Sequence, residues 1–237
     1  MLGTLFNFAG ILLGGLAGLI LKRDLPARQQ AILKVAVGVA LAWFGFAIAL
    51  SRKSGLLAGD WRYFGKLFLI LLVSMVAGRM IGRLLRIQKG LNQLGQMAKE
   101  KLGTEKRNDG LLAAVILFCA APLGIVGAVE DGLANQFPPL LIKGVIDGMA
   151  AMSFARMFGV RLLAAALPVA ALQLAISFGA LQAEPWLRSH QMLDALHVVC
   201  GFLILYVSLI IFEVKKVELG DYLPAMLVAP ALAWLFR

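Results

Sequence analysis

The sequence predicts an all-α fold, a polytopic transmembrane bundle of about eight spans, from three observations. Of its 237 residues, 61% are hydrophobic, only 15% are charged, and the apolar residues gather into runs long enough to cross a bilayer. A soluble domain needs a polar skin, and a mean hydropathy of +0.86 leaves too few polar residues to build one. The net charge of +10 does not point to nucleic acid, because the basic residues stand in short clusters between apolar runs rather than on one face of a domain. The partner this composition implies is the lipid bilayer.

The first run, Leu5 to Leu21, follows no basic region and leads into Lys22, Arg23 and Asp24 without a small-residue cleavage signal, so it is expected to be a retained helix. Ala31 to Leu50 and Leu67 to Leu85 are the second and third spans, and Leu111 to Val129 is the fourth. Leu140 to Phe158 is the fifth; Lys143 and Asp147 lie inside it, so it either spans or re-enters, and seven spans is the fallback count. Leu162 to Leu181, Ala195 to Phe212 and Tyr222 to Phe236 complete the set. Trp61, Tyr63, Trp186, Tyr222 and Trp234 fall near span ends, where amphipathic rings favour the headgroup level.

Lys and Arg are densest between Arg79 and Arg107, which makes loop 87–110 cytoplasmic and both termini external. Lys22, Arg23, Arg28, Arg156, Arg161, Lys215 and Lys216 then lie inside, and Arg52, Lys53, Arg62 and Lys66 form an external minority. Within the loop, Leu91, Leu94, Met97 and Leu102 recur among lysines, a pattern shared by an interfacial amphipathic helix and a solvated linker.

A shift of about 161 to 163 residues lays Gly18 on Gly179, Gly38 on Gly201, and Gly59 and Asp60 on Gly220 and Asp221. The chain therefore reads as one integral membrane domain with repeat halves 1–86 and 160–237 flanking a central hairpin, 111–158. With eight spans the halves have opposite orientation, the inverted repeat of many secondary transporters.

The hairpin holds the chemistry. An acidic residue followed by glycine occurs twice, as Glu130, Asp131, Gly132 and as Asp147, Gly148. A carboxylate at mid-bilayer costs about 2.5 to 3.5 kcal/mol on insertion scales, so a chain that keeps one usually uses it. Lys143 stands one turn before Asp147 on the same helix face, where an ion pair forms naturally. Glu130 and Asp131 are adjacent acids that resist joint ionisation, and one of them is a candidate proton carrier, although Glu130 alone reads as a solvated helix end. The bland alternative is that Lys143 and Asp147 neutralise each other and only fix helix packing.

Pro122, Gly124 and Gly127 interrupt the fourth run and Pro168 the sixth, either as helix breaks lining a cavity or as simple kinks. In the first run Gly10, Gly14 and Gly18 line one face with Thr4 and Asn7 ahead of them, a surface for close packing within the monomer or, less favourably, in a homo-oligomer. Asn7 and Gln173 are candidate neutral ligands. Cys119 and Cys200 lie in apolar runs as small hydrophobes, and His197 and His190 have no metal-spaced partner. No nucleotide loop, zinc-protease motif or nucleophile elbow occurs, so neither cofactor nor metal is expected and an enzyme ranks last.

Gly3, Thr4 and Asn7, then Phe118, Cys119 and the stretch from Gly124 to Gly132 with Ala128 and Asp131, then Lys143, Asp147, Gly148, Phe154, Ala155 and Gly159, and finally Leu223, Pro224, Ala225, Ala229 and Pro230 carry a resemblance. The chain resembles the domain-of-unknown-function 554 membrane proteins of bacteria, the YdfK/YqgA-like family, over its whole length, departing from it at Ala121 and Pro122. The resemblance implies a multi-pass protein of the bacterial inner membrane and supplies no substrate.

The functional expectation is a secondary transporter or channel for a small solute or ion, with Asp131, Lys143 and Asp147 as a hydrated polar centre at mid-membrane and Asn7, Gln173 and Glu130 beside it. The alternative is a structural or regulatory inner-membrane protein without transport activity.

Overall fold

The computed structural model describes residues 1–21, 26–50, 61–102, 107–214 and 218–236. Among these described residues ten α-helices follow in order: α1 (Leu2–Leu21), α2 (Ala27–Ala49), α3 (Trp61–Leu84), α4 (Ile87–Leu102), α5 (Arg107–Ala120), α6 (Pro122–Ala134), α7 (Pro138–Phe158), α8 (Ala166–Ser189), α9 (Leu193–Ile211) and α10 (Ala225–Leu235). Short 3-10 helices, Val160–Ala165 and Leu219–Tyr222, lead into α8 and α10, and the described residues contain no strand. Lys22, Arg23, Arg52, Lys53, Gly59, Asp60, Lys106, Lys215 and Lys216, used above for orientation and repeat, lie outside the described residues.

Among the described residues, five helical segments are long and apolar enough to cross a membrane: α1, α2, α3, Val160–Ser189 and α9. A sixth arises if the pair Leu111–Ala120 and Pro122–Ala134, bent by 59°, forms one span. The expected count of about eight is not reached, for two physical reasons. Helix α7 carries Lys143, Asp147 and Arg156 and falls outside the apolar class. The last apolar helical stretch, Leu219–Leu235 with its 3-10 turn included, is at the short end of the range for a spanning helix.

The chain divides into two compact units, Met1–Lys34 with Gly90–Gly179, and Val35–Lys89 with Ala180–Arg237. Each draws on both sides of the 111–158 hairpin.

In the first unit α1 lies along α7. Its buried face, Gly3, Thr4, Asn7, Ile11, Gly15 and Gly18, is small and polar, while Leu5, Leu13 and Ile20 are exposed, the reverse of a soluble helix. A Cβ on Gly10, Gly14 or Gly18 would fall inside the backbone of Gly144, Gly148 or Met152 respectively. Both sets of numbers rise together in steps of four, so α1 and α7 run parallel at backbone contact. Beside this seam Ile11, Ala114, Phe118, Ala151, Ala155, Leu162 and Val169 form the buried apolar core.

In the second unit Gly45 packs on the backbone of Gly201, and Gly78 and Gly82 on Ala225 and Asp221. These pairings make α2 antiparallel to α9 and α3 antiparallel to α10. The Asp221 carboxylate accepts the Gln88 N–H at 2.9 Å, while the Gln88 side chain accepts the Gly220 N–H at 2.8 Å, which fastens the start of α4. The Leu91 to Leu102 stretch is thus helical, with Leu94 and Met97 exposed.

Candidate functional site

The site starts from a missing hydrogen. In a continuous helix the Phe118 carbonyl would accept from the N–H of residue 122, but that residue is proline and has none. The chain turns at Ala121 into an extended conformation (φ −68°, ψ 117°), and α6 begins with Pro122 in its first turn, where a missing N–H is harmless. The freed Phe118 carbonyl accepts a hydrogen bond from Lys143 Nζ at 3.0 Å. The negative end of the α5 dipole favours the ammonium there.

Lys143 also donates to Asp147 Oδ2, one turn along α7. Both side chains are sealed: Lys143 is 1% exposed and Asp147 5%. The lysine stem fits because residue 124 is glycine, where a Cβ would meet Lys143 Cε at 2.8 Å and come within 3.6 Å of Gln173 Nε2. Across the seam Asn7 packs at Gly144, between the lysine and the aspartate in sequence, with its carboxamide facing Asp147. Asn7 Oδ1, fully buried, closes no hydrogen bond, and Gln173 Oε1 and Thr4 Oγ1 are likewise without partners. Each such buried orphan costs about 1 to 3 kcal/mol unless a guest satisfies it. Phe118, Cys119, Gly124 and Gln173 line a cavity of about 10 Å³, room for about one water.

The structure therefore brings Asn7, Lys143, Asp147 and Gln173 into one neighbourhood and sends the other two acids elsewhere. Asp131 Oδ2 accepts the Gly3 N–H at 3.1 Å, and Oδ1 lies 3.1 Å from the Met1 ammonium, so this carboxylate caps the start of α1. Glu130 is fully buried rather than a solvated helix end, and its carbonyl accepts the N–H groups of Asn135 and Gln136 at the α6 terminus. In place of the expected Asp–Lys–Asp centre, this structure has a buried Lys143–Asp147 pair with Asn7 beside it and Asp131 elsewhere.

Pro168 does not interrupt its run. It stands in the first turn of α8, directly after the 3-10 helix, where no intrahelical donor is needed. The Phe118 carbonyl has no signature as a residue type; only Pro122 four positions later marks it. Ser177, which donates to the Ala128 carbonyl at 2.9 Å, gives no signal beyond its apolar context.

A family model described as a protein of unknown function (DUF554) matches residues 2–234. The chain belongs to the DUF554 family. Among similar proteins, this DUF554 chain is 29% identical to "Uncharacterized membrane protein YdfK" of Bacillus subtilis (strain 168), across 100% of this chain and 97% of the relative. It is 28% identical to "Uncharacterized protein YqgA" of Escherichia coli (strain K12), across 99% of this chain and 97% of that relative. No solved structure matches it. With a relative named as a membrane protein and five or six apolar helices of spanning length, the DUF554 chain is a multi-pass membrane protein.

Proposed function

We propose that this protein is a secondary transporter or channel for a small solute or ion, and not an enzyme, with Lys143, Asp147, Asn7 and Gln173 as its polar centre. The observation that carries the proposal is the broken α5–α6 segment: its freed Phe118 carbonyl holds a buried ammonium beside carboxamide oxygens that lack partners. Irregular backbone at membrane depth is tolerated only when buried in protein or lining a passage, and transporter sites are built from such half-helices. Sealed as it is, the pair corresponds to an occluded site in which Lys143 neutralises the carboxylate.

The same reading places the protein in the bacterial inner membrane with 87–110 cytoplasmic and the termini external. Parallel α1 and α7, with antiparallel α2–α9 and α3–α10 pairs, support alternating crossings and the inverted repeat.

Flux into liposomes under a proton gradient tests the proposal. Purified protein is expected to move a small solute or ion, and Asp147→Asn to abolish the movement; undiminished flux in the variant removes Asp147 from the mechanism. A structural or regulatory role is the second reading, favoured by the direct, buried contact of Lys143 with Asp147. Under it, replacing both residues with apolar ones leaves the cell phenotype intact.

A further inference from the structure

We propose that the pocket around the Lys143 ammonium is a monovalent-cation site, built from the Phe118 carbonyl, the Asp147 carboxylate and the Asn7 carboxamide oxygen, which the chain's own lysine occupies. An alkali ion of ammonium size, potassium before sodium, fills it when the lysine is withdrawn.

Each ligand suits a hard cation. A main-chain carbonyl released by a helix break, a carboxylate and an amide oxygen are the groups that replace the water shell of an alkali ion. The carbonyl is fixed by Pro122 and approaches Nζ at 3.0 Å, and the carboxylate contacts the same atom. The third oxygen is the independent sign of a ligand: Asn7 is 0% exposed, its carboxamide lies beside Asp147, and its Oδ1 closes no hydrogen bond, although an Asn oxygen buried in a protein nearly always finds a partner. A lysine can contact the carbonyl and the carboxylate from the side on which its stem enters, while a spherical ion can draw in all three.

Where the lysine charge is removed, potassium restores the one positive charge that faces the Asp147 carboxylate. The tethered cation makes occupancy a competition: the protein admits an ion only as Lys143 leaves. The site is the one on which the transport proposal rests, but the test reads binding, so its failure leaves the flux experiment to be decided separately.

The experiment follows the thermal unfolding of purified, detergent-solubilised full-length protein in choline, sodium and potassium chlorides at constant ionic strength. Lys143→Met keeps the apolar stem and removes the charge. This variant is expected to show a low Tm in choline and a saturable rise in potassium, about 5 °C or more at about 100 times Kd. Sodium is expected to act more weakly, and the wild type to show no cation-specific shift. Lys143→Met/Asp147→Asn, a neutral pair, should fold without cation dependence. The proposal is overturned if Lys143→Met has one Tm in all three salts, or if the double variant or the wild type shows a comparable potassium shift. Failure of Lys143→Met to fold in every salt overturns it as well, since potassium is required to stand in for the ammonium.

Discussion

Two acids one hairpin apart do different work in this molecule. Asp147 neutralises a buried lysine, and removing one partner of such a pair costs about 3 to 5 kcal/mol because the other charge stays buried and alone. Asp131 instead caps α1 through the Gly3 N–H, an arrangement worth about 0.5 to 2 kcal/mol. Asp131→Ala should therefore lower stability and speed hydrogen exchange at the Gly3 and Thr4 amides, while flux per folded molecule stays near the wild-type value; loss of flux without loss of protection would return Asp131 to the polar centre. The Lys143–Asp147 pair was legible in the sequence because its spacing of four lies within one helix turn. The fate of Asp131 was not, because its partner stands 128 residues away and is a backbone amide with no residue signature.

Among the helices, glycine and proline show that position decides consequence. Gly14 and Gly179 each look like one more helical glycine, yet a Cβ on Gly14 would overlap the Gly148 backbone, while one on Gly179 would meet nothing within 4 Å. Gly14→Ala is expected to separate α1 from α7 and cost about 1 to 3 kcal/mol or more, and Gly179→Ala to stabilise α8 by about 0.5 to 1 kcal/mol. Thermal unfolding of the two variants side by side checks the contrast, and equal effects would contradict the backbone-contact seam. The glycine face of α1 could be read from its spacing of four; its partner on α7 could not, since spacing within one helix does not name the facing one. Pro122 and Pro168 divide in the same way. One removes a donor that α5 would have continued with, the other sits where a helix has only just begun, and the sequence around both is equally apolar.

At the scale of the whole molecule, composition settles the class, an α-helical chain that places large apolar faces against lipid. The count of crossings was less legible, because hydropathy does not reveal where a run bends or how short its helical part is, as at Ala121 and in α10. Sidedness is open to direct measurement. In a background lacking Cys119 and Cys200, Gln93→Cys should react with an impermeant maleimide only after spheroplasts are permeabilised, and Arg188→Cys should react in intact ones; the opposite pattern inverts the topology. The parallel course of α1 and α7 carries a consequence of parity. Two neighbours that pierce a sheet in the same sense must be joined by an odd number of traverses. On the proposed topology helices α2 and α3 supply two and the amphipathic α4 none, so that topology requires the bent α5–α6 segment to emerge on the far side rather than double back, as a hinge in a full passage.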